Sequence, residues 1–422
     1  MSLHTASADT PPPTCRPAMS PALTLLLALT GGVAIGNLYW AQPLLKMIGD
    51  DLGVSSGTAG ALLTATQLAY AAGILLIVPL GDVLDRRRLI PAMLVCSAVA
   101  LVACALAPTF GTLMVAITLL GVTTVAGQVI IPLAGDLADD ATRGRVLGTV
   151  MAGFLSGTLM SRTLSGLVAD AAGWRAIYAA AAVAVLVLAV LTYRSIPSAP
   201  TRARLRYPAL LASIGTVVRQ HRAVRWTLLL GALQFGLFMM FWTALTLLLT
   251  APPFDYSVSV IGLFGLLGLV GAFAATHTGR LHDRGWSLPA TGAGWALALL
   301  ALALVDAVPH SAVVLGLGIL LLHLAIFPMN VLLGARLFEV APEGRSRVNT
   351  AFVTVNFVAG AIGSAAVGPL WSAGGWPAVT TVEIAVSVAG LAVWAVGRHA
   401  ALLDQPRRTH RRANSLTAPT NG

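Results

Sequence analysis

Long apolar runs recur along this chain, and they restrict its fold more than any other feature. A helix needs roughly 20 apolar residues to span the core of a bilayer, and the sequence contains twelve such runs. They cover residues 22–45, 58–80, 89–107, 110–133, 146–169, 175–193, 226–250, 258–278, 289–305, 312–333, 350–370 and 378–396. Because 57% of the 422 residues are hydrophobic and only 10% are charged, a soluble core cannot hold these side chains. The sequence therefore predicts an all-α membrane protein with twelve transmembrane helices.

The Lys and Arg residues indicate how these helices are oriented. Short cytoplasmic loops of membrane proteins are enriched in positive charge. With a cytoplasmic N-terminus, 23 of the 26 basic residues lie in cytoplasmic segments; Lys46 and Arg175 lie outside, and Arg162 lies within the membrane. We therefore expect a multi-pass protein of a bacterial-type inner (plasma) membrane with both termini in the cytoplasm.

Several other classes of protein are not predicted. The net charge of +10 does not indicate nucleic-acid binding, because no basic helix is interleaved with aromatic residues. The cysteines at 15, 96 and 104 lack metal-ligand spacing, so we expect neither a disulfide framework nor a metal site. A membrane-embedded enzyme would need clustered His, Asp or Glu residues, which the sequence lacks. The expected partners are the lipid bilayer and a small molecule, and the expected state is a monomer.

The twelve runs fall into two sets of six, separated by a basic segment. The predicted organisation is a disordered cytoplasmic tail (1–20), an N-terminal half (21–193), a basic linker (194–225), a C-terminal half (226–397) and a basic tail (398–422). The linker contains seven Arg residues and no acidic residue. It acts as a topology signal in our interpretation, with binding to anionic lipid headgroups as the alternative.

Two loop motifs of the first half recur in the second. Gly81, Asp85 and Arg86 recur 198 residues later as Gly279, Asp283 and Arg284, and Arg143, Arg145, Gly166 and Gly173-Trp174 recur 202 residues later as Arg345, Arg347, Gly368 and Gly375-Trp376. Parallel repeats of this kind predict two homologous six-helix units with a binding site between them, near the middle of the membrane.

These motifs resemble a known family. The Gly-x-x-x-Asp-Arg loops at 81–86 and 279–284 are similar to the loop signature of the major facilitator superfamily. The segment Arg143-Gly-Arg-Val-Leu-Gly148, the first-helix segment 37–43 and the ending Gly173-Trp174-Arg175 resemble its drug and sugar efflux branch, which includes arabinose-efflux-permease-like proteins. The resemblance implies a secondary active transporter that exports a small organic solute by alternating access, with proton antiport and no cofactor.

Two positions depart from the family's pattern. Proton-coupled members usually carry an Arg four residues before a Gly of the fourth helix, whereas this chain has Ile117 before Gly121. In the fifth helix, Ser161 and Arg162 stand where the antiporter signature has Gly-Pro. Uptake and uncoupled facilitated diffusion therefore remain alternatives to proton-coupled export, and a membrane sensor that does not transport is a more remote one.

The resemblance also implies a conformational latch at the cytoplasmic loops. Its expected members are Gly81, Asp85, Arg86, Asp136, Arg143, Arg145, Gly279, Asp283, Arg284, Arg345 and Arg347. Asp85 is expected near Asn349 and Thr350, at the start of the eleventh helix, where a carboxylate interacts favourably with the helix dipole. Arg86 is expected to pair with Asp136. The contacts would form only when the cytoplasmic side is closed, and solvated topology charges are the alternative.

Small residues recur at helical spacing in three helices. The expected packing residues are Gly153, Gly157 and Gly166 in the fifth helix, Gly262, Gly265 and Gly268 in the eighth, and Gly360 and Gly368 in the eleventh. Small side chains every three or four residues allow helices to approach closely. The resemblance implies that the fifth helix faces the eighth, and that the eleventh faces the second.

Polar side chains inside the apolar runs are candidates for the substrate pathway. They are Asn37, Tyr39, Gln42, Gln67, Tyr70, Gln128, Arg162, Gln234, Trp242, His323, Asn330 and Asn356. Polar groups within a bilayer are costly unless they face protein or water, and each of these has a structural hydrogen bond as its alternative role. Arg162 is expected to be the main positive charge of the pathway, stabilised by water, Gln128, Tyr70 or an anionic solute. The resemblance implies that the twelfth helix is peripheral, so Glu383 in that helix is expected to have a structural or near-interface role.

Overall fold

The computed structural model describes residues 19–139, 142–197, 207–341 and 344–400, which are helical and contain no strand. The predicted N-terminal tail up to residue 18, the linker residues 198–206 and the C-terminal tail from residue 401 lie outside the described residues.

Twelve helices of the described residues cross the bundle. They are α1 Pro21–Gly36, α2 Gly57–Val83, α3 Arg86–Ala105, α4 Phe110–Leu137, α5 Arg143–Ala172, α6 Trp174–Ser195, α7 Arg222–Leu249, α8 Val258–Asp283, α9 Ser287–Ala307, α10 Ala312–Val340, α11 at 345–373 and α12 at 376–400. The last two form one continuous stretch, interrupted by non-helical backbone at Gly374 and Gly375. This number agrees with the count of apolar runs.

The repeated Gly-Trp motif has a backbone explanation. Gly173, between α5 and α6, has φ of 80°, and Gly375, between α11 and α12, has φ of 62°. Residues with a β-carbon rarely adopt this left-handed region, so glycine is favoured at both turns. The Trp that follows each Gly is buried. The motif therefore marks the same reversal of direction in the two halves.

The first apolar run is not one continuous helix. α1 begins with Ser20, whose hydroxyl accepts from the Leu23 N–H at 3.2 Å, and it ends at Gly36. A 3₁₀ turn, Gln42–Leu44, and a short helix, Leu45–Leu52, follow. This break turns the side chains of residues 37–42 into the bundle, where they are buried.

The loops define two ends of the bundle. We call the end with the α2–α3 loop, the α8–α9 loop and the linker the basic end, and the end with the turns after α1, α5, α7 and α11 the opposite end. The linker contains a helix, Tyr207–Gln220, which was not predicted and which packs on the stretch 345–400 and on α7. Its Tyr207 hydroxyl donates to the carbonyl of Leu76 in α2, so this helix contacts both halves.

The two halves pack tightly near the opposite end and loosely towards the basic end. α5 contacts the first part of α8, Val258–Phe264, extensively, and the part from Gly268 onwards only sparsely. A β-carbon at Gly166 would overlap the Val258 carbonyl, whereas one at Gly148 or Gly279 would meet nothing within 4 Å. Between α5 and α8, the interface is therefore closed at the opposite end and open at the basic end.

The predicted partner of the α5 glycine stripe is wrong at two positions. β-carbons at Gly153 and Gly157 would overlap the carbonyl oxygens of Ala28 and Gly32 in α1, in the same half. Only Gly166 of these three meets α8. Glycine spacing identifies a face that allows close approach, but it does not identify the neighbouring helix.

The other packing glycines lie against the expected helices. In α8, Gly262 and Gly265 lie against Arg162 of α5. A β-carbon added at Gly262 would lie 2.6 Å from the Arg162 carbonyl oxygen, and one added at Gly265 would lie 3.4 Å from the Arg162 Cβ. In α11, Gly360 lies against Gln67 of α2, and Gly368 lies 3.6 Å from the Gly57 carbonyl by the same measure.

Candidate functional site

Arg162 lies at the centre of the interface between the halves, with only 1% of its surface exposed. Its Nε donates to the Gln42 side-chain oxygen at 2.6 Å, and its Nη1 donates to the Thr158 carbonyl at 2.9 Å. Its Nη2 has no hydrogen-bond partner in the described part of the chain. A buried cation is costly unless it is paired and hydrogen-bonded, so this guanidinium is only partly stabilised by the protein.

Two aromatic rings stack on the Arg162 guanidinium, one from each half. Its central carbon lies 4.5 Å from the ring centre of Tyr39 and 4.6 Å from that of Trp242. Such cation–π contacts contribute about 0.5 to 2 kcal/mol, with the larger values at desolvated sites. Arg162 therefore connects the break after α1 with α7 across the interface.

His323 of α10 completes this row of side chains. Its ring is buried and lies 5.7 Å from the Trp242 ring, centre to centre. Its Nδ1 lies 2.8 Å from the Ile319 carbonyl, so Nδ1 carries a proton and donates it. Its Nε2 has no partner among the described residues. Gly268 of α8 makes room for this ring, because a β-carbon there would lie 3.0 Å from Nε2.

Five of the twelve pathway candidates thus come together at one place: Tyr39, Gln42, Arg162, Trp242 and His323. We call these five residues the central cluster. The aromatic residues Phe238 and Phe327 also contact His323, with ring centres at 5.3 and 5.2 Å. Sequence reasoning missed these two, because an aromatic residue in an apolar run has the pattern of ordinary core.

A second group of candidates lies between α2 and α11. Gln67 donates to the Ser364 hydroxyl at 3.3 Å, and the Tyr70 ring lies 4.5 Å from that of Phe357. Gln128 donates to the Tyr70 hydroxyl at 3.2 Å. Gln128 and Tyr70 therefore bond to each other, and the expectation that they stabilise Arg162 is wrong. Gln42 bonds to Arg162 instead, because the break after α1 turns it inwards.

Three further candidates make hydrogen bonds within their own half. Asn37 donates to the Thr124 hydroxyl at 3.0 Å, and Gln234 donates to the Ile326 carbonyl at 2.7 Å. The Asn356 amide, in the orientation that satisfies its neighbours, donates to the carbonyls of Gly231 and Phe352 at 3.2 and 3.3 Å. For all three residues, these hydrogen bonds match the structural role that was the alternative to solute contact.

The last of the twelve candidates, Asn330, lies outside these groups. Asn330 is exposed and lies seven residues after His323, which places it on the same face of α10, about two turns away. Glu383 of α12 is fully buried, and neither of its carboxyl oxygens has a partner in the described ranges.

The α2–α3 loop contains the ion pair expected there. Arg86 donates to Asp136 at 2.9 Å and to the Gly81 carbonyl at 2.7 Å. Asp85 is the N-cap of α3 and accepts from the Arg87 N–H at 3.0 Å. Thr350 donates to Ser346 in its own helix, and the expected contact of Asp85 with α11 is absent among the described residues of this conformer. Because the contact of Asp85 with α11 is expected only when the basic end is closed, it would not form in this conformer. The contact therefore stays a prediction.

The second copy of this loop uses a different residue for its ion pair. Asp283 and Arg284 are exposed, whereas the neighbouring His282 lies 3.2 Å from Glu339 at the end of α10. Arg143 donates to the Gly135 carbonyl at 3.1 Å. Arg145 and Arg345 are exposed, and Arg347 is half-buried.

We expect Asp85→Asn to leave the stability of the protein nearly unchanged and to slow turnover without weakening solute binding. Asn is as good an N-cap as Asp, but it loses the charge that would interact with α11 when the basic end closes. Asp85→Ala removes the cap as well and is expected to cost about 0.5 to 2 kcal/mol. Unfolding midpoints, solute affinity and transport rate are compared in one preparation. Unchanged turnover in Asp85→Asn would show that the residue serves only as a cap.

At the opposite end, an ion pair joins the chain after α1 to α6. Arg175 donates to Asp51 at 2.5 Å and to the Ala107 carbonyl at 3.0 Å, and the Trp174 indole donates to the same carboxylate at 3.1 Å. The hydrogen bonds from Arg175 and then Trp174 hold the pKa of Asp51 below its usual range, because they stabilise the ionised form. At this end, these contacts connect three segments of the N-terminal half with one another.

The comparisons with known proteins identify the family. The sequence matches the family model of the Major Facilitator Superfamily over residues 27–364. The chain belongs to the major facilitator superfamily. It is 37% identical over 381 residues to the Escherichia coli O157:H7 protein named "Uncharacterized transporter YgaY", which covers 90% of this chain and 97% of that one. It is 32% identical over 372 residues to "Probable transporter SCO4007" of Streptomyces coelicolor, which covers 88% of this chain and 86% of that one.

Solved structures show the same fold. A bacterial homologue of the human lysosomal transporter Spinster, in its inward-facing and unoccupied conformation, aligns with a TM-score of 0.75 at 15% identity. The alignment covers 92% of this chain and 99% of that one. The predicted twelve-helix fold in two six-helix pseudo-repeats is thus confirmed. This superfamily member is a multi-pass membrane transporter, and it is not an enzyme.

Proposed function

We propose that the chain is a secondary active transporter that exports a small organic solute by alternating access in antiport with protons. The central cluster supports this proposal most strongly. Its residues come from both halves and meet where the interface changes from tight to loose. A solute bound there would contact both halves, and rocking of one half against the other would expose it to each side in turn.

The proposed orientation places the basic end in the cytoplasm and both termini with it. The excess of Lys and Arg in the loops of that end supports this assignment. The conformer described above would then be open towards the cytoplasm and closed towards the outside, and the proposed membrane is the bacterial-type inner membrane. The family's drug and sugar efflux branch, suggested by the segments at 37–43 and 143–148, is part of the same proposal.

The proposed coupling site for the proton is His323. It lies in the C-terminal half against the Trp242 ring, on which the Arg162 guanidinium of the N-terminal half also stacks. A proton on its unpartnered Nε2 would place a second positive charge at this interface. Proton occupancy would therefore change the energy of bringing the halves together, which is what coupling requires.

The test begins with an unbiased screen for compounds that an overexpressing strain exports. Each compound found is then measured in proteoliposomes with an imposed pH gradient. We expect uphill transport that is driven by proton movement in the opposite direction, and loss of this dependence in His323→Gln. His310→Gln, which changes an exposed histidine of the α9–α10 turn, is the matched control.

Two outcomes would contradict the proposal and favour the alternatives. Downhill flux that does not respond to the pH gradient would identify an uncoupled facilitator. Accumulation of the solute in the direction of proton flow would identify an uptake system.

A further inference from the structure

We propose that the solute carries an anionic group, a carboxylate or a group of similar charge and size, and that Arg162 and Trp242 bind this group. The proposal rests on the proposed function, because it assigns a chemical class to the solute of the same site. It starts from three buried nitrogen atoms of the central cluster that have no hydrogen-bond partner in the part of the chain that the structure describes: Arg162 Nη2, Trp242 Nε1 and His323 Nε2.

Two of these three atoms carry hydrogen for which the described residues offer no acceptor. The guanidinium Nη2 and the indole Nε1 are donors and cannot act as acceptors. The Arg162 guanidinium lies over the Trp242 indole, with its central carbon 4.6 Å from the ring centre. A buried donor without an acceptor destabilises the protein, and a charged donor does so more than a neutral one. A ligand that brings an acceptor to this position removes that cost.

Within the described ranges, no carboxylate pairs with the Arg162 guanidinium. Its neighbours there are the Gln42 amide, the Thr158 carbonyl and two aromatic rings. Asp170, two turns further along α5, accepts from the Ser259 N–H at the exposed end of the helix. Glu383 is buried in α12 and bonds to none of the described residues. An anionic ligand therefore provides the missing negative charge as well as the missing acceptor.

The surroundings of these donors fit a solute with an apolar body. The rings of Tyr39, Trp242, Phe238 and Phe327 adjoin the site. On the α8 side, Gly265 has no side chain, so only its backbone faces the Arg162 side chain. A β-carbon added at Gly265 would lie 3.4 Å from the Arg162 Cβ. Small anions with an aromatic or branched aliphatic body match this combination of charge and apolar surface better than sugars or polyols, which need many hydrogen-bonding partners.

The test measures binding by the purified full chain in nanodiscs. The probes are a panel of aromatic and branched aliphatic monocarboxylates, each with its primary amide and its primary amine as size-matched neutral and cationic controls. We expect a subset of the carboxylates to raise the unfolding midpoint and to bind in calorimetry, and their amides and amines to bind at least tenfold more weakly.

Variants assign the binding to the two donors. Arg162→Gln is expected to weaken carboxylate binding at least tenfold, and Arg162→Lys is expected to weaken it less, because the charge remains but the planar donor fork is lost. Trp242→Phe keeps an aromatic ring without the N–H and is expected to weaken binding several-fold. Arg88→Gln, at an exposed arginine of α3, is the control and should bind as the wild type does. If Arg162→Gln does not fold, the Lys and Phe variants decide.

Three results would overturn the proposal: stabilisation by none of the carboxylates, equal binding of the matched amides, or unchanged carboxylate binding in the Arg162 and Trp242 variants. These results differ from a failure of the proposed function. Carboxylate binding without transport in proteoliposomes would contradict the transport mechanism alone, and transport of a neutral or cationic solute would contradict the anion site alone.

Discussion

Gly157→Ala is expected to reduce the yield of folded protein strongly and to lower its unfolding midpoint. The added methyl group would overlap the carbonyl oxygen of Gly32, and the neighbouring atoms at that position are also backbone. Backbone cannot move aside as a flexible side chain can, so α1 and α5 would have to separate. Overpacking of this kind typically costs about 1 to 3 kcal/mol, and occasionally more.

Gly148→Ala is the matched control in the same helix. A β-carbon at that position meets nothing within 4 Å, and Ala favours a helix over Gly by roughly 1 kcal/mol. We therefore expect this variant to be as stable as the wild type or more stable. Fluorescence-detected size exclusion and thermal unfolding in detergent measure both variants. Equal midpoints for Gly157→Ala and Gly148→Ala would contradict the close packing of α1 on α5.

Arg162→Ala is expected to abolish transport at normal expression, whereas Arg162→Lys is expected to retain part of it. The Ala variant loses the charge, both hydrogen bonds and both ring contacts of the central cluster. Lys keeps the charge but cannot bond to Gln42 and Thr158 while stacking between two rings. The initial rate of solute export is measured with protein amounts matched by size exclusion.

Arg88→Ala serves as the control for loss of one positive charge, since this side chain is exposed at the basic end. It should transport at nearly the wild-type rate. An Arg162→Ala variant with the wild-type rate would show that this arginine is a packing residue. Another residue would then have to provide the positive charge of the pathway.

The helices and the repeat could be predicted because they depend on local properties of the sequence. Apolar length sets a membrane crossing, and the Gly-Trp motif at 173 and 375 marks two turns that need positive φ. The break after α1 was less accessible, since residues 37–44 belong to the same apolar run as the helix before them.

Partners across the bundle could not be predicted from one sequence. The spacing of Gly153 and Gly157 identified a face suited to close packing, but not α1 as its neighbour. Gln42 lies 120 residues from Arg162 in the chain, and no local pattern connects them. Likewise, the ion pair of the second half uses His282 and Glu339, although Arg284 holds the position that corresponds to Arg86.

The most direct test of alternating access is a pair of distances measured by double electron–electron resonance in a cysteine-free background in nanodiscs. One label pair, Ala171→Cys with Val260→Cys, spans α5 and α8 at the opposite end, where both residues are exposed. The other, Gly148→Cys with Gly279→Cys, spans the same helices at the basic end, where added side chains have room.

Distances are recorded at several pH values and with the ligands found in the binding panel. We predict two populations. In one, the distance at the opposite end is short and the distance at the basic end is long; in the other, the distance at the opposite end is long and the distance at the basic end is short. Distances that stay fixed under all conditions, or that lengthen together at both ends, would contradict alternating access around the central cluster.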